Sequence, residues 1–310
     1  MHKYLVTGGA GFIGSNITES LLAQGNFVRI LDNFATGRKE NIAGFLKHPN
    51  FELNEADLRS FDDVRKASSG MDFILHQGAL PSVPRSVADP ITTNEVNVLG
   101  TLNVLQAARE HKVKRVVYAA SSSVYGNNPN LPKEEGMPPM PLSPYAISKY
   151  AGEAYCKVFH DLYGLETVAL RYFNVFGPKQ DPTSQYSAVI PKFIRMISEG
   201  ESPVIYGDGL QSRDFTYVEN NIRANILACT AKGVAGKVFN IACGERYTLL
   251  QLMQFLNTIM GTKIQPVFDN NRSGDVKHSL ASITLARQEL GFEVSVNFPE
   301  GLQKTVEYFK

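Results

Sequence analysis

The 310-residue sequence predicts an α/β fold: a doubly wound parallel sheet with helices on both faces, followed by a smaller C-terminal α/β lobe. Three observations predict it. Short apolar runs alternate with longer amphipathic stretches through the first half of the chain. A glycine-rich loop at 8–14 joins the first run to the first helical stretch, and the alternation ends after residue 176. Right-handed crossovers between such strands give a doubly wound sheet.

The strands are predicted from apolar runs that turn residues flank. In order, they cover residues 4–7, 27–31, 51–56, 72–76, 115–120 and 167–173. Several are apolar almost throughout, as expected for strands that helices cover on both faces. Helical patterns cover 12–24, 92–111 and 145–163, and a turn-rich loop at 177–187 precedes a further helical pattern at 188–199. We therefore expect one domain over 1–176 and a lobe formed mainly by 177–310, with parts of the chain after Val218 returning to the first domain.

Composition excludes several classes of function. The chain has 31 Lys and Arg against 30 Asp and Glu, so the basic excess typical of nucleic-acid binding is absent. No apolar run reaches 18 residues, so we expect no membrane partner. Cys156, Cys229 and Cys243 are scattered, and no histidines are paired at metal-ligand spacing. We therefore expect no disulfide framework and no metal site, and a reducing cytoplasmic location.

The loop at 8–14 predicts a dinucleotide-binding site of the Rossmann type, and residues 1–176 are then the cofactor domain. Glycines at 8, 11 and 14 permit a tight turn, close approach to a pyrophosphate and close helix packing. Asp32 ends the second strand 18 residues after Gly14, and its carboxylate suits a ribose diol but repels a 2′-phosphate. The predicted cofactor is therefore NAD rather than NADP, although Arg38 could in principle reach a phosphate.

A tyrosine and a lysine stand one helical turn apart, at Tyr145 and Lys149, in a helix that Ser143-Pro144 introduces. Residues i and i+4 share a helix face, and a nearby ammonium would lower the pKa of the phenol. The serine-rich segment 121–123 follows a strand, at the sheet edge where ligands of such folds bind. This combination predicts proton transfer by Tyr145 with Lys149 and Ser121 beside it.

Together these motifs make the chain similar to the extended short-chain dehydrogenase/reductase superfamily. Within it, the chain most resembles NAD-dependent nucleotide-sugar 4-epimerases, above all those acting on UDP-N-acetylhexosamines. The resemblance covers essentially the whole chain. Its motifs are G-x-x-G-x-x-G at 8–14, Asp32-Asn33, Asp57-Leu58, NVLGT at 97–101, the serine-rich strand end, Tyr-x-x-x-Lys, RYFNVFG at 171–177, GDG at 207–209, SRD at 212–214 and RSGD at 272–275.

The resemblance implies NAD as cofactor and assigns its contacts. They are Gly8, Gly11, Phe12, Ile13, Gly14, Asp32, Asn33, Phe34, Thr36, Gly37, Asp57, Leu58, Gln77, Gly78, Ala79, Pro81, Asn97, Ala119, Tyr145, Lys149 and Tyr172. Within this set the glycine loop holds the pyrophosphate, Asp32 and Asn33 hold the adenosine ribose, and Asp57 and Leu58 flank the adenine.

The resemblance also implies a UDP-sugar substrate and its contacts. They are Ser82, Ser121, Ser122, Tyr145, Asn174, Gln180, Ala188, Val189, Val204, Tyr206, Arg213, Arg272, Asp275 and Ser279. Asn174, Arg213 and Arg272 face the diphosphate, where a planar guanidinium pairs well with phosphate oxygens. Asp275 matches a ribose-binding acid. Ser279, a small residue, leaves space for a 2-acetamido group, whereas Pro81 departs from the Gly or Lys of the relatives.

The serine segment selects among the reactions of the superfamily. Dehydratases carry Thr-Asp-Glu, and decarboxylating relatives a Glu, at positions that Ser121, Ser122 and Ser123 occupy here. Without these carboxylates we expect 4-epimerisation, in which Tyr145 takes the proton of the sugar 4-hydroxyl and a 4-keto sugar turns over. A UDP-uronate 4-epimerase, another nucleotide-sugar oxidoreductase or dehydratase, and a non-catalytic NAD-binding sensor remain the alternatives. The superfamily implies a homodimer through the helices at 92–111 and 145–163.

Overall fold

The computed structural model describes residues 1–183, 188–270 and 277–310. Its strands, in chain order, are β1 (Lys3–Thr7), β2 (Phe27–Asp32), β3 (Phe51–Glu55), β4 (Phe73–His76), β5 (Arg115–Ser121), β6 (Thr167–Tyr172), β7 (Val175–Phe176), β8 (Val204–Tyr206), β9 (Ser212–Arg213), β10 (Thr216–Tyr217), β11 (Lys237–Ile241), β12 (Tyr247–Thr248) and β13 (Val267–Asp269). Its helices are α1 (Phe12–Ala23), α2 (Phe61–Ser68), α3 (Val83–Ala88), α4 (Pro90–Asn94), α5 (Gly100–Glu110), α6 (Pro144–Tyr163), α7 (Val189–Ser198), α8 (Val218–Thr230), α9 (Leu249–Met260) and α10 (Phe298–Phe309).

Seven parallel strands form the central sheet, in the order β11-β6-β5-β4-β1-β2-β3. The strand order reverses between β1 and β4, which creates a crevice at their carboxyl ends. In the register of the sheet, Val6 of β1 lies opposite Ile30 of β2 and Leu75 of β4. The predicted doubly wound fold is confirmed.

Alternation along the strands divides the core into two layers, one on each face of the sheet. Leu5 and Ile74 belong to the layer under α2, α5 and α6, whereas Val6 and Leu75 belong to the layer under α1 and α8. Both layers are buried, which explains why β1, β4 and β5 are apolar nearly throughout. The carboxyl edge of the sheet is thus held rigidly from both sides.

The observed elements begin and end within two residues of the six predicted strands, but the predicted helix at 92–111 is not regular. It consists of α4, a π-helical turn at Glu95–Leu99 and α5. The wider turn places the Asn97 side chain against the loop after β4, where it accepts the N–H of Leu80. No local sequence signal marks a π turn, because it differs from an α-helix only in hydrogen-bond pattern.

The C-terminal region contributes to both halves of the molecule. Strand β11 pairs with β6 at the edge of the main sheet, and α8 packs on α1. The remaining strands form two-stranded pairs, β7 with β10, β8 with β13 and β9 with β12. An aromatic cluster joins α10 to this region: Phe298 stacks on Tyr247 with ring centroids 4.4 Å apart and on Phe215 at 5.2 Å. In the described part of the chain, no helix is long and apolar enough to cross a bilayer.

Candidate active site

The β1–α1 loop forms the first wall of a cleft of about 760 Å³. A Cβ on Gly8 would lie 2.7 Å from Gly78 Cα, and one on Gly14 would lie 2.1 Å from the Gly8 carbonyl oxygen. Only glycines allow this packing of α1. Gly11 precedes α1 and supplies no side-chain cap, so the first N–H groups of the helix remain available at the cleft wall. These donors fit the pyrophosphate of a dinucleotide.

Asp32, at the end of β2, is buried at the next part of the wall. Its two oxygens accept the N–H groups of Ala10 (2.9 Å) and Phe34 (2.8 Å). Burial raises the pKa of this carboxyl, and the two hydrogen bonds oppose the rise. A carboxylate has about four acceptor positions, so both oxygens can still accept ribose hydroxyls. A Cβ on Gly37 would lie 2.7 Å from Asp32 Oδ1, so this glycine is needed to leave the carboxylate in place.

Arg38 does not line the cleft. Its guanidinium lies 3.5 Å from a Glu40 oxygen and 3.7 Å from an Asp181 oxygen. The guanidinium that could have favoured a 2′-phosphate is therefore paired with carboxylates, and the residues at the ribose position fit NAD.

Asp57 lies beside Asn33 at the same end of the cleft as Asp32. The oxygens of Asp57 accept hydrogen bonds from Asn33 Nδ2 (2.8 Å) and from two atoms of Arg59, Nε (3.0 Å) and Nη2 (2.9 Å). These Arg59 hydrogen bonds are the main reason that the pKa of Asp57 falls to about 2. Sequence reasoning missed Arg59, which lines the cleft and keeps Asp57 ionised.

Two residues of the cleft lining, Gln77 and Tyr172, form a closed ring of hydrogen bonds with the buried Asn225. Tyr172 Oη donates to Gln77 Oε1 (3.1 Å), Asn225 Nδ2 donates to Tyr172 Oη (2.6 Å), and Gln77 Nε2 donates to Asn225 Oδ1 (3.0 Å). Each partner holds the other two, so Gln77 and Tyr172 have fixed orientations. Asn225 lies on α8, and sequence reasoning missed it.

Asn97 was expected to contact the cofactor, but it lies behind the cleft wall. Its side chain accepts the N–H of Leu80 (2.7 Å) and donates to the Leu80 carbonyl (3.2 Å) and to Ser148 Oγ (3.0 Å). Asn97 therefore fixes the loop that carries Pro81 and Ser82, both of which line the cleft. Ser82 has φ of +101°, a strained conformation for a residue with a side chain.

Helix α6 brings the tyrosine and the lysine to the middle of the cleft. Ser143 caps the helix by accepting the N–H of Ala146 (3.1 Å), and Pro144 occupies the first turn. Lys149 is only 4% exposed, and its Nζ donates to the Ala119 carbonyl (2.8 Å). The cap and this bond anchor both ends of the turn that carries Tyr145.

The electrostatics of this pair differ from the sequence prediction. Burial raises the pKa of Tyr145, and a hydrogen bond from Ser121 is the interaction that lowers it. Burial lowers the pKa of Lys149 to about 8. Burial thus opposes charge on both groups, and Ser121, rather than Lys149, is the neighbour that favours the phenolate in the protein alone.

Most predicted contacts meet in this one cleft. Its lining includes Gly8, Gly11, Phe12, Ile13, Gly14, Asp32, Asn33, Thr36, Asp57, Leu58, Gln77, Gly78, Ala79, Pro81, Ser82, Ala119, Ser121, Ser122, Tyr145, Lys149, Tyr172, Asn174, Gln180, Ala188, Arg213 and Ser279. Phe34, Gly37 and Asn97 support it without lining it. Val189, Val204 and Tyr206 line an adjoining cavity of about 490 Å³, which shares Asn174, Ala188 and Arg213 with the cleft. Arg272 and Asp275 lie outside the described residues.

The far end of the cleft is assembled around the buried carboxylate of Asp214. It accepts the N–H groups of Cys243 (2.9 Å), Gly244 (3.1 Å) and Ala281 (3.1 Å). The backbone carbonyl of Asp214 accepts a hydrogen bond from Asn174 Nδ2 (3.2 Å). Burial raises the pKa of Asp214 to about 7. Sequence reasoning quoted Asp214 only as part of a motif, yet it joins segments that are distant in the sequence.

Gln180 and Ser279 lie in the wall of this end. Gln180 Nε2 donates to the Val175 carbonyl (3.3 Å), while its Oε1 is buried without a hydrogen-bond partner among the described residues. Ser279 is half-buried, and its N–H donates to the Ser212 carbonyl (3.0 Å) next to Arg213. Ser279 thus faces the cleft rather than the outer surface.

Two buried groups near the cleft are structural. Arg171 forms a two-pronged ion pair with Glu153, at 2.6 and 2.9 Å, which joins β6 to α6. His76 lies between Thr7 (2.6 Å) and Thr101 (3.0 Å), and burial lowers its pKa to about 3, so it is neutral. Within the described ranges, no group of three or more His, Cys, Asp or Glu side chains could hold a metal ion.

Comparison with known proteins gives matches over nearly the whole chain. The chain is 38% identical over 310 residues to the UDP-glucose 4-epimerase of Mycolicibacterium smegmatis, covering 99% of this chain and 98% of that one. It is 43% identical, with a TM-score of 0.95, to a UDP-N-acetylglucosamine 4-epimerase of Methanobrevibacter ruminantium M1 solved with UDP-N-acetylmuramic acid. That match covers 99% of this chain and 98% of the other.

A third match extends the range of substrates among the relatives. The UDP-glucuronic acid 4-epimerase of Bacillus cereus, solved with UDP-glucuronic acid and NAD, is 32% identical, with a TM-score of 0.92. It covers 99% of this chain and 98% of that one. The sequence pattern of the NAD-dependent epimerase/dehydratase family matches residues 4–242. With the glycine loop, the buried Asp32 carboxylate, and Tyr145 and Lys149 all in one cleft, the chain belongs to the NAD-dependent epimerase/dehydratase family.

Proposed function

We propose that this chain is an NAD-dependent 4-epimerase of UDP-hexoses that interconverts UDP-N-acetylglucosamine and UDP-N-acetylgalactosamine, with UDP-glucose and UDP-galactose as a second pair. One observation carries the proposal. A single cleft runs from Asp32 to Ser279, and Tyr145, Lys149 and Ser121 lie along it. The similarity to 4-epimerases of UDP-sugars over the whole chain supports it.

The cofactor end of the cleft would hold NAD through the α1 N–H groups, the Asp32 carboxylate and the ring of Gln77, Tyr172 and Asn225. When bound, NAD supplies a reversible hydride acceptor for C4 of the sugar.

The proton chemistry belongs to Tyr145 and its neighbours. Tyr145 Oη, as phenolate, takes the proton of the sugar 4-hydroxyl and later returns it. Ser121 donates a hydrogen bond that favours the phenolate, consistent with its effect on the pKa of Tyr145. Lys149 is held by the Ala119 carbonyl and keeps a positive charge at neutral pH, because its pKa is about 8. A single reversible base is sufficient for 4-epimerisation.

Serines instead of carboxylates at positions 122 and 123 argue against loss of water or of carbon dioxide. Ser122 and Ser123 line the cleft where the dehydratase and decarboxylating relatives carry acids. Neither serine can supply a second general acid or base near neutral pH.

Size and hydrogen-bonding capacity at the far end favour an N-acetylated sugar. Ala188 and Ser279 are small residues of the wall, and the 4-keto sugar needs room there to turn over and present its other face. Gln180 Oε1, buried without a partner among the described residues, would accept the N–H of a 2-acetamido group. Asn174 and Arg213 would bind the diphosphate with Arg272, Val189, Val204 and Tyr206 would contact the nucleoside, and Asp275 its ribose.

A direct assay tests the proposed function. The purified protein is incubated separately with UDP-N-acetylglucosamine, UDP-glucose and UDP-glucuronic acid, and the products are separated by chromatography. We expect turnover of the first two, with the larger kcat/KM for the acetylated sugar. Turnover of UDP-glucuronic acid alone would instead make the chain a uronate 4-epimerase, and NAD binding without any turnover would make it a sensor.

The helices beside the cleft support a homodimer as part of the proposal. On α6, Ile147, Val158 and Leu162 are exposed at helical spacing, and Leu162 is 70% exposed. Ile91 of α4, which packs beside α6, is 72% exposed. A second copy covering this apolar face would remove it from water. Light scattering coupled to size-exclusion chromatography tests this, and Leu162→Glu should yield monomer. A cytoplasmic location, and the division into a cofactor domain over 1–176 and a sugar-binding lobe mainly over 177–310, complete the proposal.

A further inference from the structure

The serine-rich segment contains a contact that the mechanism above does not use. Ser121 ends β5 and begins a short 3₁₀ turn at Ser122–Tyr125. Its Oγ accepts the backbone N–H of Ser123 (3.2 Å) and also the hydroxyl of Ser123 (2.9 Å). Ser123 therefore places two donors on one oxygen.

A serine hydroxyl has one proton and two acceptor positions. When Ser123 occupies both acceptor positions of Ser121 Oγ, the Ser121 hydroxyl can interact further only as a donor. A hydroxyl that accepts a hydrogen bond is also a stronger donor, because each bond in such a chain polarises the next.

We propose that Ser123 is a positioning residue, which directs the proton of Ser121 toward Tyr145 Oη and the sugar 4-oxygen; this inference rests on the proposed epimerase function. The three hydroxyls then form a directed chain from Ser123 to Ser121 to Tyr145. The stabilising effect of Ser121 on the phenolate agrees with this direction. Ser123 occupies a position where related enzymes of other reactions carry an acid, so the same position would serve orientation here instead of proton transfer.

The first test removes only the Ser123 hydroxyl. Ser123→Ala keeps the backbone N–H and should lower kcat about 3- to 10-fold, the effect expected for one neutral hydrogen bond. KM for the UDP-sugar should stay within about twofold, because Ser123 acts through Ser121 rather than on the substrate. The acid limb of the kcat–pH profile should move to higher pH, since the Tyr145 phenolate loses support. Ser123→Thr retains a hydroxyl and should restore both kcat and the profile.

A double-mutant cycle provides the decisive measurement. If Ser123 acts through Ser121, then in the Ser121→Ala background the further change Ser123→Ala should alter kcat less than about twofold. Ser20→Ala, which removes a hydroxyl that accepts a hydrogen bond from Gln24 on the outer side of α1, is the matched control and should leave the pH profile in place.

Several results would overturn the inference. Fully additive effects of the two serine changes, an unmoved pH profile in Ser123→Ala, or a rise in KM with kcat unchanged would each refute the role of Ser123 while leaving an active wild-type epimerase. If Ser123→Ala does not fold, the Ser123→Thr profile decides, because a threonine that folds but behaves unlike wild type also refutes the role. A wild-type protein that turned over no UDP-sugar would refute the proposed function and this inference together.

Discussion

The two ends of the cleft are built in different ways. The cofactor end comes largely from three consecutive strands, β1, β2 and β3, with Gly8, Asp32 and Asp57 at or just beyond their carboxyl ends. The sugar end comes from segments that are distant in sequence, around Asn174, Arg213 and Ser279. These segments are tied to each other by a few long-range hydrogen bonds, such as those that join Ser212 to Lys277 and Ser279.

This difference has a physical consequence. The cofactor end is rigid because regular strands of a buried sheet position its residues, and a side chain at Gly14 would collide with backbone. The sugar end depends on buried polar joints such as Asp214, where three N–H groups converge. Changes at the sugar end should therefore alter which sugar binds, and changes at the cofactor end should alter stability and NAD retention. Tyr145 stands where the two ends meet.

The largest expected effect is at that meeting point. Tyr145→Phe removes one oxygen and should lower kcat about 10²- to 10⁴-fold, the usual contribution of general acid–base catalysis. KM and the content of bound NAD should change little, because neither end of the cleft is altered. Steady-state kinetics and nucleotide release on denaturation measure both. An unchanged kcat would remove Tyr145 from its proposed role.

The buried position of Lys149 should destabilise the folded protein as long as the side chain is charged. Its pKa is lowered by burial from 10.5 to about 8, so a charged Lys149 disfavours the folded state. This penalty is complete below about pH 8 and disappears as the pH rises toward 10.5, because the folded state loses its proton first. The free energy of unfolding of wild type relative to Lys149→Met should therefore increase by about 3 kcal/mol between those pH values.

Urea unfolding at the two pH values measures this change. Lys157→Met, on the same helix, is the matched control, because Lys157 is exposed and pairs with Asp161 at the surface. The difference in the free energy of unfolding between Lys157→Met and wild type should vary much less with pH. A difference for Lys149→Met that does not vary with pH would show that Lys149 is not desolvated.

Most residues that line the cofactor end could be predicted from the sequence, because their signals are local. The glycine spacing, Asp32 at a strand end and Tyr145 with Lys149 in one helix all follow from short stretches of sequence. The partners that fix these residues could not be predicted. Asn225 lies 53 residues from Tyr172, and Ala281 lies 67 residues from Asp214. Nothing in a single sequence pairs them, since their hydrogen bonds exist only once the sheet and the lobe have formed.

The pKa of Tyr145 illustrates the same limit. Spacing placed Lys149 beside the phenol and suggested a lowered pKa, but burial decides the direction, and burial depends on the surrounding layers. The π turn that brings Asn97 to Leu80 likewise has no sequence signal of its own.

At the sugar end, specificity should change without loss of cofactor. Ser279→Tyr fills the wall with a ring, and the resulting overlap should cost about 1–3 kcal/mol for the larger sugar. The ratio of kcat/KM for UDP-N-acetylglucosamine to that for UDP-glucose should fall about 5- to 100-fold. Thr284→Tyr, an exposed change on the same segment, should leave the ratio unaltered. Equal losses for both sugars would place the specificity elsewhere in the cleft.

The smallest effect is expected at the outer margin of the cofactor end, at Arg38. Its pairs with Glu40 and Asp181 are exposed and long, at 3.5 and 3.7 Å, and such pairs contribute about 0–1 kcal/mol. Arg38→Ala should therefore leave the unfolding midpoint nearly unchanged. The nucleotide released on denaturation should remain NAD, because Arg38 is paired with carboxylates and the Asp32 carboxylate would repel a 2′-phosphate. Asp32→Asn should be compared with Arg38→Ala, because it removes the charge that repels a 2′-phosphate. The asparagine keeps one oxygen that can accept the Ala10 or the Phe34 N–H. If Arg38→Ala released less NADP than wild type, Arg38 would bind the 2′-phosphate. Residues of the loop after β2, and not only those at the strand ends, would then determine which cofactor binds.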